Sequence, residues 1–423
     1  MSEFVEFNLR DGIFTLEFNE PVRTDTIDPT GIVLQSLFEE PVSTYRLTNA
    51  TTDDPNGQTV VFNLSRTDLT AVQADPFICS RRYNCYVRVF SNAFQDIAGN
   101  PVQNVDEIHP GFIVTQFMLD TENPILETFT LDMDTGSITL TFSKAVSYQS
   151  LQLQQLTLQS ALDGSFSAVT TYTLTGGQVP GPDGGEIVIL LTVEDFDALR
   201  TNDAIATSVN DTFIFFNETL VTDLADDPLN VIAVPNTAAV QADRVNRDET
   251  SPGISEFQLD LSLDRLLLTF DEPVRTSTLT NLTLFTIHTG EMPPNQSVAL
   301  SGGQVVTEED GVRVVMVMLL DSDITAIKLN EQLATAVHNT YLSVEPSAIQ
   351  DMAGNPMRSI TIRATAFVPD ATRPQLISFT LNMIQGILNL TFDDTMLASS
   401  FDSTAFRVQS TMRAMRSCYK VQY

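Results

Sequence analysis

Phe14-Thr15-Leu16-Glu17-Phe18-Asn19-Glu20-Pro21-Val22 returns three times in the 423-residue chain. It recurs as Ile138-Thr139-Leu140-Thr141-Phe142-Ser143-Lys144-Ala145-Val146 and as Leu266-Leu267-Leu268-Thr269-Phe270-Asp271-Glu272-Pro273-Val274. The last copy is Leu388-Asn389-Leu390-Thr391-Phe392-Asp393-Asp394-Thr395-Met396. Successive phenylalanines in this set lie 122 to 128 residues apart. In every copy the first, third and fifth residues are apolar, as in Phe14, Leu16 and Phe18, the period of a strand with one buried face. A long internal period with strand periodicity means an array of similar β domains.

The surroundings of each copy repeat too. A short strand precedes it (Phe7–Leu9, Phe129–Leu131, Phe257–Leu259, Phe379–Leu381), separated by turn residues such as Asp11-Gly12 and Asp134-Thr135-Gly136. Apolar strands come next at Val60–Leu64, Ile187–Leu191 and Val314–Leu319. Then comes a short helical turn led by Asp68, Asp195 or Asp323, each read as an N-cap. Late loops run Asp96 to Pro101, Asp223 to Pro228 and Asp351 to Pro356. Boundaries with a helix-breaking proline begin at Asp120, Asp248 and Asp370. The expected organisation is three β-sandwiches at 1–120, 121–248 and 249–370, then the opening of a fourth at 371–423. After Ser410 the sequence turns basic and leaves the pattern, so the tail is expected to be poorly anchored, and the chain to be a piece of a longer array.

Charge narrows the functional classes. There are 54 acidic and 22 basic residues, a net −32, which repels phosphate backbones and anionic lipid. Nucleic acid is therefore not an expected partner. No apolar run reaches the ~18 residues of a spanning helix, and membrane insertion is not expected either. Divalent cations and cationic partners are favoured. Only Lys144, Lys328 and Lys420 among the basic residues are lysines.

The Phe-x-Glu-Pro-Val strand end (Phe18–Val22, Phe270–Val274) and the Asp-x-Ala-Gly-Asn-Pro loop (Asp96–Pro101, Asp351–Pro356) together resemble the immunoglobulin-like repeats of bacterial S-layer and surface adhesin proteins. They are also similar to acidic extracellular repeats of some marine eukaryotes. The second repeat departs from both motifs, with Ser143-Lys144-Ala145-Val146 and Ala225-Asp226-Asp227-Pro228. The resemblance implies an all-β chain of tandem immunoglobulin-like β-sandwiches, each with one short helical turn, in a structural or adhesive role.

Catalytic motifs are decoys here. Asp134-Thr135-Gly136-Ser137 spells an aspartic-protease motif, but that chemistry needs two such carboxylates and the chain has one copy. His109, His288 and His338 fall at unrelated points of the repeat, and the Gly-Gly turns lack the lysine of a phosphate loop. No enzyme activity is expected. Calcium is the one chemistry the pattern favours, since it takes six to eight oxygen ligands. Its candidate ligands between domains are Asp120, Asp248 and Asp370 at the boundaries, Asp96, Asp223 and Asp351 in the late loops, and Glu20 and Glu272. Cys79 and Cys85 are a candidate disulfide; zinc is disfavoured because no histidine lies nearby. Candidate glycosylation sequons begin at Asn49, Asn63, Asn210, Asn217, Asn281, Asn295 and Asn389. The expected setting is extracellular or cell-surface. Expected partners are other copies of the chain or other matrix and surface proteins. The expected work is that of a stalk or spacer. Glycan- or protein-binding modules, or accessory modules of an enzyme, are the alternatives.

Overall fold

The computed structural model describes residues 1–103, 111–225, 228–290, 296–409 and 418–420. His109, Asn295, Asp226 and Asp227, and most of the basic tail after Ser410, lie outside them. The chain divides into two compact units, Met1–Asp248 and Glu249–Tyr423. Most of its regular structure is strand, with three α-helices and a series of three-residue 3-10 turns among the described residues. The protein is all-β, built of tandem immunoglobulin-like sandwiches.

In the first unit, strands Glu3–Asn8 and Ile13–Arg23 form a hairpin, and Gly57–Leu64 pairs with the second of them. The alternation seen in the sequence is realised: Phe14, Leu16, Val60 and Phe62 are fully buried. The Phe14 and Phe62 rings stack with centroids 4.7 Å apart. Strands Ile32–Gln35, Thr44–Arg46 and Tyr86–Val89 supply the facing layer. Phe112–Met118 closes the sandwich. It runs parallel to Glu3–Asn8 and antiparallel to Tyr86–Val89, joining both layers.

The second repeat uses the same frame with two separate sheets. Leu126–Asp132, Ser137–Val146, Gly184–Leu190 and Arg244–Asn246 make one. Thr157–Gln159, Thr171–Thr173, Phe213–Phe215 and Val240–Gln241 make the other. Its closing segment crosses from sheet to sheet at Ala242 and Asp243, whose N–H groups donate to Thr212 O (2.9 Å) and Phe129 O (2.8 Å). The third repeat, in the second unit, crosses in the same way between Ile360–Arg363 and Ala366–Val368. Three buried apolar clusters result, drawn from residues 4–114, 126–242 and 254–364.

The first hairpin turn of each repeat needs a left-handed residue. Gly12, Gly136 and Gly386 supply it at φ 69°, 65° and 69°, while Asp264 takes it at φ 52° in the third repeat. Asp134-Thr135-Gly136-Ser137 is this turn, tied down where Asp132 Oδ1 accepts from the N–H groups of Asp134 and Thr135. The fourth hairpin, Leu376–Asn382 with Ile387–Phe392, keeps the register but lacks a covering layer among the described residues. Phe379 is 58% exposed there, whereas its counterparts Phe129 and Phe257 are buried.

Candidate functional site: buried charge inside the repeats and at their ends

The helices are Arg66–Ala74, Val193–Arg200 and Asp321–Leu329. Their leading aspartates are not N-caps. Ser65 and Thr192 cap the first two helices, accepting from the N–H groups of Asp68 and Asp195 at 3.1 and 3.0 Å. The aspartates turn inward instead. Asp68, fully buried, accepts from Tyr45 Oη (2.8 Å), Thr48 Oγ1 (2.7 Å) and the Thr48 and Asn49 N–H groups. Asp195 accepts from Tyr172 Oη and the Thr175 and Gly176 N–H groups, and Asp323 from Ser301 N–H and Oγ. Each clamps the loop after the central edge strand to the helix. Burial and the bond to Asp68 push the Tyr45 hydroxyl up to about 12. At Asp68 burial acts upward, but the bonds from Asn49, Thr48 and Tyr45 prevail and hold its carboxyl low.

At the helix ends a second pattern appears. The residue five positions after each clamp aspartate reaches the boundary aspartate of the same repeat. Gln73 Nε2 donates to Asp120 Oδ2 at 3.2 Å. Arg200 Nε meets Asp248 Oδ2 at 3.0 Å, its guanidinium stacked 3.8 Å from the Phe196 ring centroid. Lys328 Nζ meets Asp370 Oδ2 at 2.8 Å. The sequence carried this signal as Gln73, Arg200 and Lys328 at one repeat position.

Asp120 has a stronger partner. Lys144, on strand Ser137–Val146, places its Nζ 2.6 Å from Asp120 Oδ2, 2.7 Å from Asp223 Oδ2 and 2.7 Å from Glu122 O. All three side chains of this ion cluster are less than 10% exposed. The remaining oxygen of Asp223 accepts from Leu229 N–H at 2.8 Å. Beside the cluster lies a cavity of about 420 Å³, lined by Leu9, Val72, Leu119, Leu224 and Leu229 together with Lys144. In the second unit Lys328 also holds Asp394 at 2.8 Å. Asp394 occupies the repeat position of Lys144, and sequence reasoning passed over it. Burial opposes ionisation of both Lys328 and Asp370, yet their mutual contact prevails: the ammonium lies above its ordinary value and the carboxyl well below.

Glu272 and Asp351 of the third repeat are both buried, 4% and 1% exposed, with carboxylate oxygens within 4.8 Å of each other. Asp351 accepts from the Asn355 N–H and Nδ2, each at 2.7 Å. Asp96 takes the same two bonds from Asn100, which hold its carboxyl below the usual range. Gly99 and Gly354, at φ 88° and 95°, give the loop its turn. The Ala-Gly-Asn-Pro motif is thus an aspartate-capped turn. Glu20 is exposed on the first repeat.

Cys79 and Cys85 are joined in a disulfide across a seven-residue loop. Ala206 and Thr212, and Ala334 and Thr340, hold the matching places in the other repeats. There Thr212 and Thr340 hydroxyls donate to Ser208 O and Ala336 O, at 2.7 and 2.8 Å. The asparagines of the described sequons, Asn49, Asn63, Asn210, Asn217, Asn281 and Asn389, are all exposed. His288 is buried, its ring 2.9 Å from Ser343 Oγ, and His338 is exposed.

No family model and no curated protein matches the chain. Among solved structures it is similar to the N-terminal part of the bacterial S-layer protein SbsC. That match has 17% identity, 31% of this chain, 26% of that chain and a TM-score of 0.20. A longer SbsC structure matches over 98% of this chain and 61% of its own, at 8% identity and TM-score 0.18. The FN1-FN3 domains of chicken CNTN1 match over 85% of this chain and 96% of theirs, at 10% identity and TM-score 0.19. The chain thus spans about a quarter of the first of these structures.

Proposed function

We propose that the chain is a tandem-repeat spacer with adhesive contacts in an extracellular or cell-surface protein, with domains at 1–120, 121–248 and 249–370 and a fourth begun at 371. The carrying observation is that every boundary aspartate is buried or half-buried against a protein cation, so the ends of the sandwiches are built to be held. The Cys79–Cys85 disulfide fits an oxidising compartment. The reading is of a non-enzymatic protein whose partners are other copies of itself or other surface proteins. The exposed sequon asparagines fit glycosylation.

Calcium enters this reading at the third repeat. Glu272 and Asp351 bring two buried carboxylates together, and a divalent cation neutralises such a pair with hard oxygen ligands. The test is thermal unfolding of the full chain in millimolar calcium and in EDTA at matched ionic strength. A ligand at a hundredfold excess over its Kd stabilises the folded state by about 2.7 kcal/mol. A higher Tm in calcium that disappears in the Glu272→Gln variant is the expected result. Equal melts remove calcium from the reading and leave the spacer. Binding on a glycan array would replace the spacer by a ligand-binding role.

A further inference from the structure

Lys144 sits where the other repeats carry an acid: Glu20, Glu272 and Asp394 hold its place at the end of the same strand. Its ammonium is surrounded as a metal ion would be, by one oxygen each from Asp120 and Asp223 and by the Glu122 carbonyl, at 2.6 to 2.7 Å. Three acceptors converge on one nitrogen, which the three N–H groups of an ammonium satisfy and no single nitrogen of a guanidinium can. The chain uses lysine only three times among 22 basic residues. Two of the three lie between paired aspartates, Lys144 with Asp120 and Asp223, and Lys328 with Asp370 and Asp394. Where one carboxylate is the partner the chain takes arginine, on the surface as in Arg23 with Asp25 and Arg66 with Glu127, and buried as in Arg200 with Asp248.

We propose that the Asp120–Asp223 cluster is a cation site filled by the chain's own tethered ammonium, and that the residue at position 144 decides whether this end of the repeat needs a metal ion. With lysine there, the first and second repeats stay joined whatever the calcium level. With a carboxylate there, three acidic side chains and a carbonyl converge, a ligand set for a divalent cation but not a stable arrangement without one. The adjoining cavity supplies the entry path a free ion needs. The inference deepens the calcium reading of the third repeat, where Glu272 takes this position, and rests on it only for the natural role of the acid.

The experiment is calcium titration calorimetry on the full chain and on its Lys144→Glu variant, with melting followed in EDTA and in calcium. The variant is expected to bind one calcium more than the parent and to melt lower than the parent in EDTA, with the gap narrowed in calcium. This difference of one holds whether the parent binds calcium or none, so it is separate from the fate of Glu272. If Lys144→Glu does not fold, Lys144→Met removes the ammonium without adding a ligand, and calcium is expected to raise its melting by binding the two freed aspartates. Unchanged stoichiometry in a folded Lys144→Glu variant overturns the proposal. So does a Lys144→Met variant that melts like the parent in EDTA, or one whose melting is indifferent to calcium.

Discussion

Two sets of repeat-related aspartates, one inside the sandwiches and one at their ends, behave differently. Inside each sandwich the aspartate meets neutral donors: a tyrosine hydroxyl and two loop N–H groups at Asp68 and Asp195, and the N–H and hydroxyl of Ser301 at Asp323. At the ends Asp120, Asp248 and Asp370 meet a charge, and each time a different one: Lys144 from the following repeat, Arg200 or Lys328 from the repeat's own helix. The inner carboxylate is part of what makes the sandwich, since it saves several backbone donors from burial without partners. The outer one ties down the end of its sandwich, and its partner varies because each end is its own fit. A neutral clamp is insensitive to salt, whereas a charged one is not.

The largest effect expected is at the first junction. Lys144→Met leaves Asp120 and Asp223 buried without their counter-charge, and removal of one partner of a buried ion pair costs about 3–5 kcal/mol. Calorimetry should show the first unit melting lower while the second is unchanged. An unaltered scan would mean that these ends carry no more energy than a surface pair.

Next is the inner clamp. Asp195→Ala removes the acceptor of Tyr172 Oη and of two backbone N–H groups, and each buried donor left unmade costs about 1–3 kcal/mol. The loss should be the same at 50 mM and 500 mM salt. A marked salt dependence would erase the distinction between inner and outer aspartates.

The pH response of the second unit comes third. The Asp370 carboxyl lies below its ordinary value, so its contribution is present above the unfolded value near 4 and lost as pH falls through the folded one. The Lys328 ammonium lies above its own, so its contribution is present below the unfolded value near 10 and lost as pH rises through the folded one. Melting of Asp370→Asn should therefore differ most from the parent between about pH 5 and pH 9, and converge with it in acid. A constant difference across pH would show that the contact does not depend on charge.

The smallest change is Tyr45→Phe, expected to cost about 1 kcal/mol for one hydrogen bond. Tyr45 ionises at about 12 in the folded protein, so its bond to Asp68 stabilises below the ordinary tyrosine value and fades as pH rises toward 12. Ultraviolet titration should lose a late tyrosine transition in the variant.

The frame was legible because Phe14, Leu16 and Phe18, and their counterparts, obey a period of two that only a half-buried strand explains. The clamp was misread. Asp68 and Asp195 lead their helices in sequence, but Ser65 and Thr192 stand three residues earlier, and Ser-x-x-Asp is itself a start signal. The junctions were half legible. Asp120, Asp248 and Asp370 stood out beside their prolines, while Gln73, Arg200 and Lys328 look like ordinary helix-surface residues. Nothing local marks a side chain whose partner lies 47 residues away, as for Gln73, or 79, as for Lys144.

The parallel pairing of first and last strands has a consequence for a chain pulled by its ends. Glu3–Asn8 lies beside Phe112–Met118, Thr130–Asp132 beside Arg244–Asn246, and Gln258–Asp260 beside Ala366–Val368. Tension that enters at the start of the one strand and leaves at the end of the other slides the two along their length. Every hydrogen bond between them is then strained at once, where a hairpin pulled from its open end would peel bond by bond. The rate of forced unfolding is set by the barrier to that shear. Each sandwich is thereby wired to bear load across its own two terminal strands, and its core is strained only after they part.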